Sequence, residues 1–216
     1  MTADEIVSQM QRHNQIRADD LKHYQSLRHY EVRYKGLAAI GARMEVEANY
    51  DSASGKSFRI VSQSGSGLLV DKVLKRLIES EKEAGMDNKS TALTPANYKF
   101  RLEGIERVAG RPAYVLDVDP LVAAKYLYRG KIWVDAADFA VAKIDAAPAQ
   151  NPSFWISSTA IHHQYAKTGA FWLPDQNRSE TKVRVGGTAV LTIDYGAYQV
   201  VPESPDAGTG LLATSP

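Results

Sequence analysis

His162-His163 is the most tempting metal motif in the chain, because imidazole is a common metal ligand. Adjacent residues of a strand point to opposite faces, so these two rings do not converge on one ion. His13, His23 and His29 lie far away in sequence. No metal site is expected; two strand histidines, one of them solvated, is the plainer reading. Asp117 with Asp119 shares a strand face, and Asp135 and Asp138 bracket a turn. Paired carboxylates of this kind serve glycoside hydrolysis. These acids sit at strand ends beside Pro120 and Ala136-Ala137, where turns favour Asp on local grounds. Ser62, Ser64 and Ser66 flank glycines, yet Gly65-Ser66-Gly67 lacks the outer spacing of a nucleophile elbow. No Walker-type or dinucleotide loop is present. With no cysteine there is no thiolate nucleophile, disulfide framework or Cys-ligated metal. The sequence predicts no catalytic residue and no cofactor. Arg43 projects from the polar face of its strand; only a one-residue bulge would turn it inward, where it could hold a lid through hydrogen bonds.

The elements that would position such groups fit one domain of 216 residues. Lys and Arg total 26 and Asp and Glu 25, a net charge of +1, which does not favour a large polyanion-binding surface, and nucleic acid is not an expected partner. No stretch reaches the roughly 18 consecutive apolar residues of a membrane span. Met1-Thr2-Ala3-Asp4-Glu5 lacks the basic region and apolar core of an export signal. The protein is therefore either cytosolic or exported with its signal already removed, and composition does not choose.

Thr2 and Glu5 form a capping-box pattern, with Ala3, Ile6, Val7 and Met10 on one helical face. A weaker helical turn is read around Leu21 and Tyr24. From about Arg28 the period becomes 2, with Tyr30, Val32 and Tyr34 in phase. The cleanest strand follows, carrying Ala38, Ile40, Ala42, Met44, Val46, Ala48 and Tyr50 on one face. Residues 57–64 return as its hairpin partner, with Phe58 and Ile60 in phase. A long helix lies between Gly67 and Gly85, with Val70, Val73, Leu74, Leu77 and Ile78 at helical spacing and Gly85 as its stop. Met86–Thr94 reads as a mobile polar loop. After Pro95 the strands are Tyr98–Arg107, Ala113–Val118, Leu127–Val134, Phe139–Asp145, Ser153–Gln164, Ala170–Leu173, Thr181–Val185 and Thr188–Tyr198. Gly186-Gly187 reads as a hairpin turn of type I′ or II′. The predicted fold is α+β: a curled antiparallel sheet of about ten strands, a half-barrel, whose N-terminal and inserted helices bury their apolar stripes in its concave face. Residues 1–200 form the domain and 201–216, rich in Pro, Gly, Ser and Ala, a disordered tail.

Particular residues sharpen this. Tyr98-x-Phe100-x-Leu102-x-Gly104, Gly110-Arg111-Pro112-Ala113-Tyr114 and Leu116 through Pro120 are followed by Tyr128-x-Gly130-Lys131-Ile132-Trp133-Val134-Asp135. Then come Pro152-Ser153-Phe154-Trp155 and Gly169-x-Phe171-Trp172-Leu173-Pro174. Together they make the chain resemble the LolA-like family of periplasmic outer-membrane lipoprotein-sorting proteins, from the first helix to about Tyr198. The matched residues are signatures of strands and turns. The resemblance implies a half-barrel closed by helices and a non-enzymatic periplasmic carrier of the acyl chains of lipoproteins or related lipids. It further implies an inner-membrane release complex and an outer-membrane acceptor as partners, and a monomer. The wider superfamily includes envelope-stress regulators of the RseB type, so an RseB-like sensor using the same cavity is the alternative.

On this reading Ile40, Met44, Val46, Phe58, Ile60, Leu102, Leu116, Ile132, Val134 and Trp155 line a concave apolar surface, and Val70, Val73, Leu74 and Leu77 form a lid. The competing reading is that the helices fill that surface and leave a solid core; residue types alone do not decide. One sixteen-carbon chain could gain on the order of 12 kcal/mol at roughly 0.8 kcal/mol per buried methylene, before entropic and opening costs. Trp133, Trp155 and Trp172 could rim a ligand mouth, although packing at sheet edges and under helices is favoured.

Overall fold

A computed structural model describes residues 1–36, 39–86, 91–124, 126–151, 153–184 and 186–201. The expected tail beyond Val201, Ala38 and part of the Met86–Thr94 loop lie outside the described residues.

Helix α1 spans Ala3–Asp20, opened by the predicted capping box: the Glu5 amide donates to the Thr2 hydroxyl and the Thr2 amide to the Glu5 carboxylate. The turn expected around Leu21 and Tyr24 is instead strand, because from His23 every second side chain is buried, a period that only a sheet supports. Eleven strands follow: β1 His23–Lys35, β2 Ala39–Asp51, β3 Gly55–Gly65, β4 Tyr98–Val108, β5 Arg111–Pro120, β6 Tyr128–Asp135, β7 Val141–Pro148, β8 Ile156–Thr168, β9 Phe171–Val183, β10 Thr188–Tyr195 and β11 Gln199–Val201. Between β3 and β4 runs helix α2, residues 67–86, with α-helical segments Gly67–Leu69 and Lys75–Met86 around a π-helical turn, Val70–Leu74. Gly85 lies inside it and is not its stop.

Two predicted strands, Ala170–Leu173 and Thr181–Val185, belong to the single strand β9. Pro174 and its polar neighbours looked like a break. They are instead absorbed by a bulge, where the pairing steps from Tyr165–Pro174 to Gln164–Gln176. At the β9–β10 connection Gly186 and Gly187 both take positive φ, 99° and 107°, as the hairpin requires. The strands part earlier than a two-residue turn would allow, at Val183.

All eleven strands form one antiparallel sheet, ordered β3-β2-β1-β10-β9-β8-β7-β6-β5-β4, with β11 beside the first residues of β1. β3 and β4 are its two edges and do not pair, so the sheet curls without closing. Its two ends differ. The connections 51–55, 108–111, 135–141 and 168–171 lie at one, the turn end; 35–39, 183–188 and the two seven-residue connections 120–128 and 148–156 lie at the other, the loop end.

Both helices lie on the concave side, each over its own half. Ile6, Val7 and Met10 of α1 are buried against Leu116, Ile132, Val134 and Ile144. Val70, Leu74 and Ile78 of α2 are buried against Tyr30, Val32, Ala42, Met44 and Val46. Each fully buried side chain of this size contributes about 1.5–3 kcal/mol. The concave face thus carries two cores and not one.

Candidate ligand cavity

Strand register shows what lies between the cores. One row of paired residues crosses the concave face from Met44 through Tyr30 and Ile193 to Asn177, and on through His163 and Ile144 to Ile132 and Leu116. The ends of the row are apolar and sit under the helices. Ile193 on β10 still belongs to the α2 core, and the middle of the row beyond it, Asn177 on β9 and His163 on β8, belongs to neither core. There a cavity of about 880 Å³ opens, within the range of roughly 300–1,000 Å³ usual for small-molecule sites. Its floor is Tyr30, Ile161, His163, Tyr165, Asn177, Ile193 and Tyr195; Leu77, Ser80 and Glu81 of α2 form one wall; Tyr126, Leu127, Tyr128, Pro148, Gln150 and Asn151 bring it to the loop end.

The residues predicted to line a cavity are placed differently. Met44, Val46 and Phe58 belong to the α2 core, and Leu116, Ile132 and Val134 to the α1 core. Ile40, Ile60 and Leu102 face the same side, on or near the sheet edges, but are exposed. Trp155 is 60% exposed on the β7–β8 connection, off the concave face. Of the four lid residues Val70 and Leu74 are buried, Val73 packs against them, and Leu77 alone reaches the cavity wall. Both readings of the concave face therefore hold in part: the helices fill its two flanks and leave its centre open. Sequence reasoning missed the floor because β8 and β9 alternate weakly, with His, Asn, Ser and Thr at inward positions. The usable signal was Tyr165, in phase with His163 and Ile161.

Electrostatically the cavity is quiet. Burial, with a smaller push from His162, lowers the His163 imidazole to about 4, so at neutral pH it is uncharged. Burial raises Tyr165 to about 12 and raises Tyr128 and Tyr195 as well. The Oδ1 of Asn177 is buried and has no hydrogen-bond partner within the protein. The charged groups among the described lining residues are Glu81 and Lys56, paired with each other at 3.0 Å. Such a space suits an apolar ligand with an uncharged polar group and disfavours an ion.

Glu81 also carries the contact that fixes α2. Arg28, 1% exposed on β1, donates from Nη1 to both Glu81 carboxylate oxygens at 2.8 and 3.0 Å, and its guanidinium lies over the rings of Tyr195 and Phe58. Burial opposes the charge on Arg28; Glu81 outweighs it and raises the pKa. Burial likewise opposes the Glu81 carboxylate, and Lys56 with Arg28 hold it below its usual range. Arg43, the residue considered for this task, lies on the outer face, paired with Glu31 at 2.8 Å. Arg28 was legible as the inward one, being in phase with Tyr30 and Val32.

The remaining candidates are structural. His162 points outward to Asp145, 2.7 Å away, opposite in direction to His163. Asp117 and Asp119 lie on the outer face, ion-paired with Arg101 and Arg129. Asp135, 1% exposed, accepts two hydrogen bonds from Arg111 and the amides of Ala137 and Asp138; Asp138 accepts from Lys167 and the Trp172 indole. Burial alone would raise both carboxyls. Arg111 and the backbone amides lower Asp135, and Lys167 with Trp172 lowers Asp138. Trp133 is buried on the outer face, with its indole donating to Glu106.

Among known proteins, the MucB/RseB N-terminal domain family matches residues 42–148. No curated protein sequence matches the chain. Solved structures similar to it include a DUF1329 family protein from Desulfovibrio piger (14% identity, 97% of this chain and 95% of that one, TM-score 0.47). Another is described as an outer-membrane lipoprotein-sorting protein domain from Vibrio parahaemolyticus (10% identity, 96% and 95%, TM-score 0.44). A third is a LolA superfamily protein from Nitrosomonas europaea (13% identity, 94% and 96%, TM-score 0.38).

Proposed function

We propose that the chain is a non-enzymatic periplasmic binding protein that shields the acyl chains of a lipoprotein or related lipid during transfer to the outer membrane. The observation that carries this is the cavity of about 880 Å³, its charged lining groups paired with each other, left open between two helix-packed cores. In this reading the Arg28–Glu81 contact lets go, α2 swings from the sheet, chains enter over Ile161, Tyr165 and Ile193, and water is excluded. An inner-membrane release complex and an outer-membrane acceptor belong to the same reading. The test is native mass spectrometry of protein taken from bacterial envelopes, together with titration of a fluorescent fatty acyl probe. Retained mass of lipid size and saturable probe binding support the reading; a protein that carries nothing and binds no probe overturns it.

A second reading, a sensor that uses the same cavity to control a protein partner, is favoured by the match of residues 42–148 to the MucB/RseB N-terminal domain. It differs in outcome: lipid loading would change the affinity for a protein and would not end in delivery to a membrane.

A further inference from the structure

The two ends of the half-barrel differ in surface chemistry, and the loop end carries the two longest helix-free strand-to-strand connections, 120–128 and 148–156. Phe154 is 74% exposed and Trp155 60%, and they stack edge to face on the β7–β8 connection with the Arg184 guanidinium 4.9 Å from the Phe154 ring. The Arg184 amide donates to the Trp155 carbonyl at 2.8 Å, so the β9–β10 connection braces the aromatic pair. Along the same end the β5–β6 connection exposes Leu121 and Val122, and it is tied to the β7–β8 connection by the Ala149 amide donating to the Leu127 carbonyl. Large side chains held in water on adjacent loops lose solvation free energy and are unusual without a partner.

Charge indicates which partner. Residues 120–128, 148–156 and 183–188 contain no Asp or Glu. Arg184 is there, and Lys35 and Lys182, both paired in register with Thr188, flank it. The turns of the other end carry Asp51, Asp135 and Asp138, of which Asp135 and Asp138 are ion-paired with Arg111 and Lys167. The loop-end connections are therefore apolar and cationic, whereas at the turn end Asp135 and Asp138 are balanced by the cations they hold.

We propose that the loop end docks on an anionic bilayer surface. Phe154 and Trp155 enter the interfacial layer, where amphipathic rings are favoured, and Arg184, Lys35 and Lys182 meet lipid phosphates. The cavity opens toward this end through Tyr126, Gln150 and Asn151, so docking places its mouth against the lipid. The surface is separate from the cavity floor, and occupancy of the one is measured independently of the other.

The test uses the full chain with vesicles of mixed phosphatidylglycerol and phosphatidylethanolamine, and with vesicles of phosphatidylcholine alone. Co-sedimentation with the anionic vesicles and a blue shift of tryptophan emission are expected, both weakening as salt rises. The double variant Phe154→Ser, Trp155→Ser is expected to lose binding by about tenfold or more, and Arg184→Glu by roughly tenfold, on anionic vesicles only. Unchanged thermal unfolding and unchanged acyl-probe binding identify these as surface effects. The proposal is overturned if the wild-type chain stays in the supernatant, if phosphatidylcholine binds it as tightly, or if the double variant binds like the wild type. Capture of a protein by this end, with vesicles ignored, overturns it equally.

Discussion

Arg28 on β1 and Glu81 on α2 form an ion pair at 2.8 Å, and they are unequally buried: the Arg28 side chain is 1% exposed and that of Glu81 26%. That asymmetry makes the two ends of the contact respond differently to mutation. Glu81→Ala strands a desolvated guanidinium and is expected to cost about 3 kcal/mol. Arg28→Met leaves a carboxylate that still reaches solvent and keeps Lys56 at 3.0 Å, and is expected to cost about 1 kcal/mol. Denaturant midpoints measure the order. Amide exchange across residues 67–82 should rise more in Glu81→Ala than in Arg28→Met, and equal costs would contradict the burial argument.

Filling the cavity should separate binding from stability. Ile161 lies on its floor and Ile132, 0% exposed, under α1. Ile161→Trp is expected to weaken acyl-probe binding by about tenfold or more with little change in unfolding. Ile132→Ala is expected to cost about 2–5 kcal/mol and to leave the affinity of the folded fraction within about twofold. The reverse pattern would move the binding site into the α1 core.

The pH dependence follows from His163. Its folded pKa of about 4 lies below the ordinary 6.5, so between those values the unfolded chain binds a proton that the native state refuses. Stability is full above about pH 6.5 and falls as pH drops toward 4. His163→Gln should flatten that limb in urea unfolding measured across the interval. A limb that stays as steep in the variant assigns it to another group.

At the turn end, Asp135 holds both Arg111 and the amides of residues 137 and 138. Asp135→Ala is expected to cost about 2–3 kcal/mol, since it strips a buried acceptor from several donors. Thermal denaturation checks the loss. Probe binding at the far side of the sheet should be unaffected in the folded protein.

Much of this was readable in the residue order. Thr2 and Glu5 announced the start of α1, and the alternation of Ala42, Met44, Val46 and Ala48 fixed which face of β2 is buried. The stripe Val70, Leu74, Ile78 marked the face that α2 turns to the sheet. These succeed because period and capping are local, set by neighbours within about one turn or one pleat. Pro174 misled for the same reason: locally it ends a strand, whereas the bulge that accommodates it depends on the facing residues of β8.

What the order of residues determined by itself was the curled antiparallel sheet, its two helices and the faces they share, because hydrophobic periodicity is a property of each segment alone. Where the helices come to rest was decided only in three dimensions. Val134 under α1 and Ile161 in the open floor both face inward, and nothing within their own segments tells them apart. The difference arises because two helices can each cover only one flank of an eleven-stranded sheet. The strands left between them, β8 and β9 with the inner edge of β10, keep the space in which a ligand can lie.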